Sequence, residues 1–343
     1  MRPTFLPRLV NDPFEDPGLF ILFHHENRAL LFDMGDLTPL SHRDLLKIDH
    51  VFVSHTHMDH FFGFDRLLRA GMGRRKTVFL FGPEGFLKCL GSKLSAYQWN
   101  LVQEYEPLVF VGCEVDEGRM RIRRFSSRER FAPSGESEVR FRDNVLVDRE
   151  GFRVRAILLD HGIPCLAFRL EERYHIHILA EKVLELGLAV GPWLNEFKKA
   201  LYAGKDPDTP FPAPLSAAGA TSDRVMALGE LRERIARITP GQHIVYVADA
   251  APTASNVDRI VSFAEQADRL FIEAAFLEEH REIAAEKGHL TAALAGRIAG
   301  LAGVRKWEVY HHSPRYSDQA ERLRCEAEVS FENSLTDPTE NNA

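Results

Sequence analysis

Residues 55–60 read His-Thr-His-Met-Asp-His, and this segment constrains the chain more than any other. The short apolar run His50–Ser54 before it reads as a strand, and Phe61–Arg69 after it reads as a helix. Two histidines two positions apart on an extended loop, His55 and His57, point the same way and can grip one cation. Asp59 and His60 open the helix and can face a second cation close by. Imidazole nitrogen and carboxylate oxygen suit zinc. A lone histidine pair is more often structural. Four ligand-type groups within six residues, between a strand and a helix, are hard to assign to packing.

Such a loop needs partners from elsewhere, and other strand ends offer them. Leu19–His24 and Arg28–Phe32 read as strands joined by a turn at Glu26-Asn27, followed by a strand at Thr77–Phe81 and a helix at Gly85–Leu94. Arg119–Asp148 reads as one or two β-hairpins. Further strands are expected at Phe152–Leu159, Ile244–Ala248, Leu270–Glu273 and Trp307–Tyr310, with helices at Val257–Ala267 and Leu290–Ala302. Asp160-His161-Gly162 follows the first of these four strands, Asp249 the second, and His311-His312 the last. Strand ends collect site residues in α/β proteins because loops converge there while the sheet stays rigid. His161 would complete the first cation with His55 and His57. His311 would join Asp59 and His60 on the second, and Asp249 would bridge both. Two cations about 3.5–4 Å apart lower the pKa of a shared water and clamp the oxygens of an in-line displacement.

The alternation of strand and helix in both halves suggests one α/β domain over residues 1–333, with an arm or loop insertion around 170–224 and a flexible polar tail at 334–343. Asp206–Asp223, with Pro207, Pro210, Pro212 and Pro214, reads as a mobile loop. No apolar run approaches the length of about 18 residues that a membrane span needs, so no membrane partner is expected, and the first twenty residues lack the pattern of a signal peptide. Four scattered cysteines read as free thiols of a reducing compartment, which points to the cytoplasm. A net charge of −7 weighs against a broadly basic, nucleic-acid-binding surface. Arg119, Arg121, Arg123, Arg124, Arg128 and Arg130 form a local exception, either a solvated strand and turn or a surface that tracks phosphates.

The motif residues resemble the metallo-β-lactamase superfamily and, within it, ribonuclease Z, the endonuclease that trims the 3′ end of precursor tRNA. The resemblance runs from about Leu19 to Phe331. His55–His60 with Phe61-Phe62-Gly63-Phe64 is similar to the family signature. Leu31-Phe32-Asp33-Met34-Gly35 resembles the motif whose aspartate buttresses the histidine loop. Asp160–Cys165 resembles the third-ligand motif, Tyr246–Ala250 the bridging-aspartate motif, and His311–Tyr316 the C-terminal motif in which the first histidine binds metal, which leaves His312 to packing. Gly288-His289-Leu290-Thr291 resembles the motif whose histidine serves the scissile phosphate. Phe271-Ile272-Glu273-Ala274-Ala275 resembles the segment upstream of it, where Glu273 could orient His289. The segment from Leu186 through Gly191-Pro192 to Lys198-Lys199 is similar to the family's tRNA-gripping arm. Thr56 and Met58 stand where the family most often has leucine and glycine, Asp36-Leu37-Thr38 where it has glutamate-glycine-threonine, and Ile272 where it has histidine.

The resemblance implies a four-layer αβ/βα sandwich of two mixed β-sheets with outer helices. It implies two divalent metal ions, zinc first and manganese as the alternative, and a homodimer. It also implies cleavage of RNA phosphodiester bonds, with a precursor tRNA or a small phosphodiester as substrate. A hydroxide bridging the metals would attack phosphorus, and Asp59 or His289 would protonate the leaving oxygen. The rival enzyme reading is hydrolysis of another ester: a cyclic nucleotide, lactone, thioester or sulfate ester. A rival of another class is a metal-stabilised binding protein without catalysis. Structural zinc sites are usually closed and cysteine-rich, and no cysteine lies within these motifs' ligand positions.

Overall fold

The first eight strands are β1 (Phe5–Leu9), β2 (Leu19–Phe23), β3 (Ala29–Phe32), β4 (Ile48–Phe52), β5 (Lys76–Gly82), β6 (Leu108–Asp116), β7 (Arg119–Ser126) and β8 (Pro133–Arg140), and in this computed structural model they form one sheet in sequence order. The structure describes residues 4–24, 26–216 and 223–336. The pairs β3–β4, β4–β5 and β5–β6 are parallel. Parallel neighbours need a crossover, and the short helices α1 (His42–Lys47), α2 (Met58–Phe61), α3 (Phe64–Gly71) and α4 (Phe86–Ser95) provide it. The outer pairs are antiparallel hairpins.

A second sheet follows the order β18-β17-β16-β11-β10-β9. It contains β9 (Val145–Asp148), β10 (Phe152–Asp160), β11 (Pro164–Glu172), β16 (His243–Val247), β17 (Arg269–Glu273) and β18 (Trp307–Tyr310). The last three are parallel.

The period of two along a strand sorts side chains into layers. On β3 and β4, Leu31 and Val51 pack with Phe64, Leu67 and Leu90 of the adjoining helices. Their neighbours Phe32 and Phe52 point the other way and meet Phe168 of β11 at 5.5 Å, and Phe32 also stacks on Tyr246 of β16 at 5.8 Å between ring centres. On the far side, Val245, Val247, Leu270 and Ile272 pack under α8 (Ala254–Ala264), α10 (Ala292–Leu301) and α11 (Ala320–Thr336). Helix, sheet, sheet, helix is the four-layer αβ/βα arrangement.

The chain divides into two units. The larger comprises Phe5–Leu146, Val154–Leu170 and His243–Ala343 and holds the layers just described. The smaller comprises Met1–Thr4, Val147–Arg153 and Glu171–Gln242. It contains β12 (Tyr174–Ile178) paired with β15 (Ala236–Pro240), β13 (Pro210–Pro214) paired with β14 (Asp223–Ala227), and three helices: α5 (Ala180–Glu185), α6 (Trp193–Tyr202) and α7 (Leu228–Ile235). Its own core is built from Val183, Leu188, Phe197, Ala213, Leu231 and Ile235.

Two sequence expectations change here. The proline-rich stretch expected as a mobile loop contains β13. Pro210, Pro212 and Pro214 share one phase of the strand, so their missing N–H groups fall away from β14. Phe211 and Ala213, opposite Met226 and Arg224, keep the phase that pairs. Residues 217–222 of that stretch lie outside the described residues. Of the polar tail expected from Ser334, residues 334–336 belong to α11; residues 337–343 lie outside the described residues. The first four arginines of the run lie on β7, and Arg128 and Arg130 lie in the turn that follows it. There Arg121 pairs with Glu114, Arg123 with Glu136 at 2.9 Å, Arg124 with Glu129 at 3.4 Å and Arg119 with Asp116 at 3.7 Å. Four of the six guanidinium groups thus face acids rather than an open phosphate track.

The four cysteines are unpaired. Burial pushes the Cys113 thiol up to about 12 and the Cys165 thiol well above its ordinary range, while Cys325 is exposed on α11. Because access limits the reaction of a thiol, iodoacetamide at neutral pH should label exposed Cys325 ahead of the buried Cys113 and Cys165, which stay unlabelled until the protein is denatured. Peptide mass spectrometry reads the order directly.

Candidate metal centre

The ends of β4, β10, β16, β17 and β18 all carry titratable side chains, and within the larger unit they meet. His55, His57, His161 and Asp249 offer ligand atoms within 4.8 Å of one another; so do Asp59, His60 and His311, and so do Asp249, Glu273, His289 and His311. The seven residues picked from the sequence as ligands therefore lie in overlapping clusters, with Asp249 shared between two of them. Its Oδ1 faces His311 Nδ1 at 2.9 Å and His60 Nε2 at 3.5 Å, and its Oδ2 faces His161 Nε2 at 3.4 Å and His55 Nε2 at 3.7 Å. His311 Nε2 also reaches Asp59 Oδ2 at 3.2 Å.

The histidine loop is held from below by Asp33. Its carboxylate, fully buried at the end of β3, accepts from Ser54 N at 2.6 Å, Ser54 Oγ at 2.8 Å and the Tyr246 hydroxyl at 2.9 Å, and it faces His60 Nδ1 at 2.9 Å. A proton on His60 Nδ1 donated to Asp33 turns the lone pair of Nε2 toward Asp249. His161 is fixed the same way, with Nδ1 donating to the Gly288 carbonyl at 2.7 Å. Gly288 adopts φ +72, and a Cβ there would lie 3.1 Å from that same His161 Nδ1, so only glycine brings the carbonyl this close without strain. Gly63 serves the loop differently: its N donates to Met34 O at 2.7 Å, and a Cβ would sit 2.2 Å from Gly35 O.

A second layer holds His289. Glu273 is buried at the end of β17, accepts from Ala250 N at 2.7 Å through Oε1, and accepts from His289 Nδ1 at 2.9 Å through Oε2. His312 turns away from the cluster. Its Nδ1 donates to Ala274 O at 2.8 Å and its ring packs edge-on against Phe14 at 5.1 Å. No spacing in the chain points to Tyr246 as a partner of Asp33, nor to Asn256, which donates to Asp160 O at 2.7 Å and accepts from Asp160 N at 3.1 Å. Neither contact has a local spacing, so only the folded chain displays it.

Whether this site suits metal can be tested on its orphaned atoms. His55 Nε2, His60 Nε2, Asp249 Oδ1 and His311 Nδ1 are buried with no hydrogen-bond partner. Buried polar atoms are otherwise nearly always satisfied, and these four converge. The charges agree. Burial opposes a proton on His60 and on His311, yet Asp249 and the neighbouring carboxylates override it, raising His60 well above its ordinary value and His311 to about 10. Burial would raise Asp249, but His311 and His60 hold it well below the carboxylate range. His55, buried and beside His60, drops to about 2 and stays neutral. The cluster therefore calls for positive charge at its centre and presents nitrogen and oxygen donors to it. These residues fit divalent cations.

No family model matches the chain. Its curated relatives do carry a common name. It is 28% identical over 309 residues to a ribonuclease Z of Deinococcus radiodurans, covering 86% of each chain. It is 26% identical over 322 residues to one of Methanosarcina acetivorans, covering 92% of this chain and 88% of the other. Among solved structures, the metallo-β-lactamase fold protein YhfI from Bacillus subtilis superposes with a TM-score of 0.55 at 18% identity, covering 95% of this chain and 92% of that one. The chain has the metallo-β-lactamase fold and is ribonuclease Z-like. The short form of human tRNase Z superposes with a TM-score of 0.50 at 19% identity, over 92% of this chain and 93% of that one, and agrees on the fold.

Two measurements check the centre. In Asp33→Asn the amide meets His60 and Tyr246 with a donor where an acceptor stood, and the zinc affinity of the purified protein should fall about 10–100-fold in chelator competition. Because His60 and His311 hold protons that a cation must displace, zinc uptake by chelator-stripped protein should release protons at neutral pH and weaken as pH falls. Calorimetry in buffers of differing ionisation enthalpy counts the protons released, and a value of zero contradicts the assignment.

Proposed function

We propose that this chain is a metal-dependent phosphodiesterase that cleaves RNA and removes 3′ trailers from precursor tRNA, as the name of its ribonuclease Z relatives suggests. The observation that carries this reading is the pairing of a His/Asp cluster of metal-ligand chemistry with a separately supported histidine, His289 on Glu273, at its edge. His55, His57 and His161 would hold one cation, Asp59, His60 and His311 the other, with Asp249 between them; zinc is the expected metal. Such a cation pair lowers the pKa of a water between them and draws charge from phosphoryl oxygens.

The remaining chemistry falls to side chains. Burial alone would lower His289, but the Glu273 carboxylate beneath it outweighs burial and raises it above the ordinary imidazole value, which favours the protonated ring. With Nδ1 committed to Glu273, Nε2–H is the donor left for a phosphoryl oxygen or a departing ribose oxygen. Asp59 is the poorer proton donor of the two candidates. Burial works to raise it, but His311 and His60 pull it below the carboxylate range, which leaves it ionised. Glu273 is a positioning residue.

The larger unit would carry the chemistry, and the segment around 170–224 would be the arm that grips the tRNA body. A homodimer follows from the family likeness. No helix among the described residues is long and apolar enough to cross a membrane, and with four unpaired cysteines the cytoplasm is the expected setting.

Incubation with a precursor tRNA bearing a 3′ trailer should yield tRNA ending in a 3′-hydroxyl and a trailer beginning with a 5′-phosphate, as end mapping will read. His55→Ala and Asp249→Ala should lose cleavage by at least about a thousandfold, since each removes a ligand of the reacting centre. Wild-type turnover in both variants would overturn the site. Cleavage of a lactone, thioester or sulfate ester with no action on RNA would overturn the substrate.

A further inference from the structure

The candidate metal loop does not end at its ligands. Met58 stands between His57 and Asp59 and is 79% exposed; Phe62, one turn later, is 55% exposed. Phe62 N donates to Met58 O at 2.7 Å, so the two side chains share one face of α2. The next side chain outward is cationic. Lys93 of α4 places Nζ 6.0 Å from the ring centres of both Phe61 and Phe62, and bonds Asp65 at 2.8 Å. Asp65 in turn lies within electrostatic reach of Tyr97, which is 45% exposed and packs edge-on against Trp99 at 5.7 Å.

Single exposed apolar residues need no explanation. Here Met58 and Phe62 share a face, Lys93 adjoins Phe62, and Asp65 joins Lys93 to Tyr97, so the series starts between two ligand candidates and carries an ammonium along it. Much of each side chain faces solvent, so core packing does not account for the series. Exposed aromatics interleaved with positive charge suit a single-stranded nucleic acid: bases stack on the rings without regard to sequence, and the cation meets the backbone. Lys93 has three donors and Asp65 takes one. The series adjoins the reacting centre, so it would take the nucleotides next to the cleaved bond.

We propose that Met58, Phe62, Lys93 and Tyr97 form a ledge for the unpaired nucleotides flanking the scissile phosphate, with bases stacked on Phe62 and Tyr97 and Lys93 facing the phosphate between them. The proposal rests on the RNA-cleaving reading above and adds the residues that recognise the unpaired strand.

The test compares two substrates on the full-length, metal-loaded protein: a precursor tRNA with an unpaired trailer, and bis(p-nitrophenyl) phosphate, which carries no nucleobase. In Phe62→Ala and in Tyr97→Ala the ratio of kcat/KM for RNA to that for the small diester should fall about tenfold, mainly through KM, and Phe62→Tyr and Tyr97→Phe should restore it. A 2-aminopurine placed at the first trailer position should lose fluorescence on binding wild-type protein and keep it with Phe62→Ala. A ratio within twofold of wild type in both alanine variants, or an equal loss on both substrates, overturns the ledge while RNA cleavage itself stands. Hydrolysis of the small diester by wild-type protein with no binding or cleavage of RNA overturns both readings at once.

Discussion

The carboxylate of Asp33 fastens the candidate site to the fold. It is fully buried, and a buried charge costs several kcal/mol unless donors surround it. Four groups do: Ser54 N, Ser54 Oγ, His60 Nδ1 and the Tyr246 hydroxyl. Three belong to the end of β4 and its loop, and the fourth comes from the other sheet. One side chain thus sets the depth of the histidine loop, the tautomer of His60 and the approach of the two sheets. Asp33 itself sits at φ +56, a left-handed conformation that costs a non-glycine residue roughly 1–3 kcal/mol. The surrounding hydrogen bonds hold it there. His311, at φ +59, shares that strain on the opposite side of the cluster.

Asp249 shows the opposite condition, and the contrast separates a structural carboxylate from a ligand. Both side chains are buried. Asp33 meets groups that donate to it. Asp249 meets the ring nitrogens of His55, His60, His161, His289 and His311 at 2.9–3.9 Å, and its Oδ1 has no hydrogen-bond partner. For His60 and His161 the other ring nitrogen is already committed to an acceptor, Asp33 or Gly288 O, so lone pairs converge with the carboxylate on a shared point. Such an arrangement is unfavourable unless positive charge sits there. Protons on His60 and His311 can supply it in part, and divalent cations supply it with better geometry for so many donors.

How much of this is legible in the sequence depends on range. The histidine loop is local: six consecutive residues between a strand and a helix announce it. His161, Asp249 and His311 are legible because each follows an apolar strand, and strand ends in this architecture share an edge. The Glu273–His289 bond is visible only through family likeness, since sixteen residues and a whole helix separate them. Tyr246 reads as one more apolar strand residue, and nothing local tells that its hydroxyl crosses to Asp33. The small sheets of the 171–242 region are obscured for another reason. Prolines normally argue against a strand, and their alternation on β13 satisfies the pairing rule only once the partner strand is known.

Ligand residues define a reaction more tightly than they define a substrate. His55, His60, His161 and His311 gather around Asp249, and the same set would serve many esters. Selection must therefore come from side chains that the centre leaves facing out, and the loop places one in its own middle: Met58 is the most exposed large apolar side chain among the described residues. Its neighbours His57 and Asp59 are fixed by their part in the cluster, so position 58 can vary without disturbing the ligands. The arginines of β7, the strongest basic run in the sequence, are a poorer place to look, because Glu114, Glu129, Glu136 and Asp116 already face four of them. Lys93 is paired as well, with Asp65, and what sets it apart from those arginines is its place against the exposed Phe62 ring beside the metal loop.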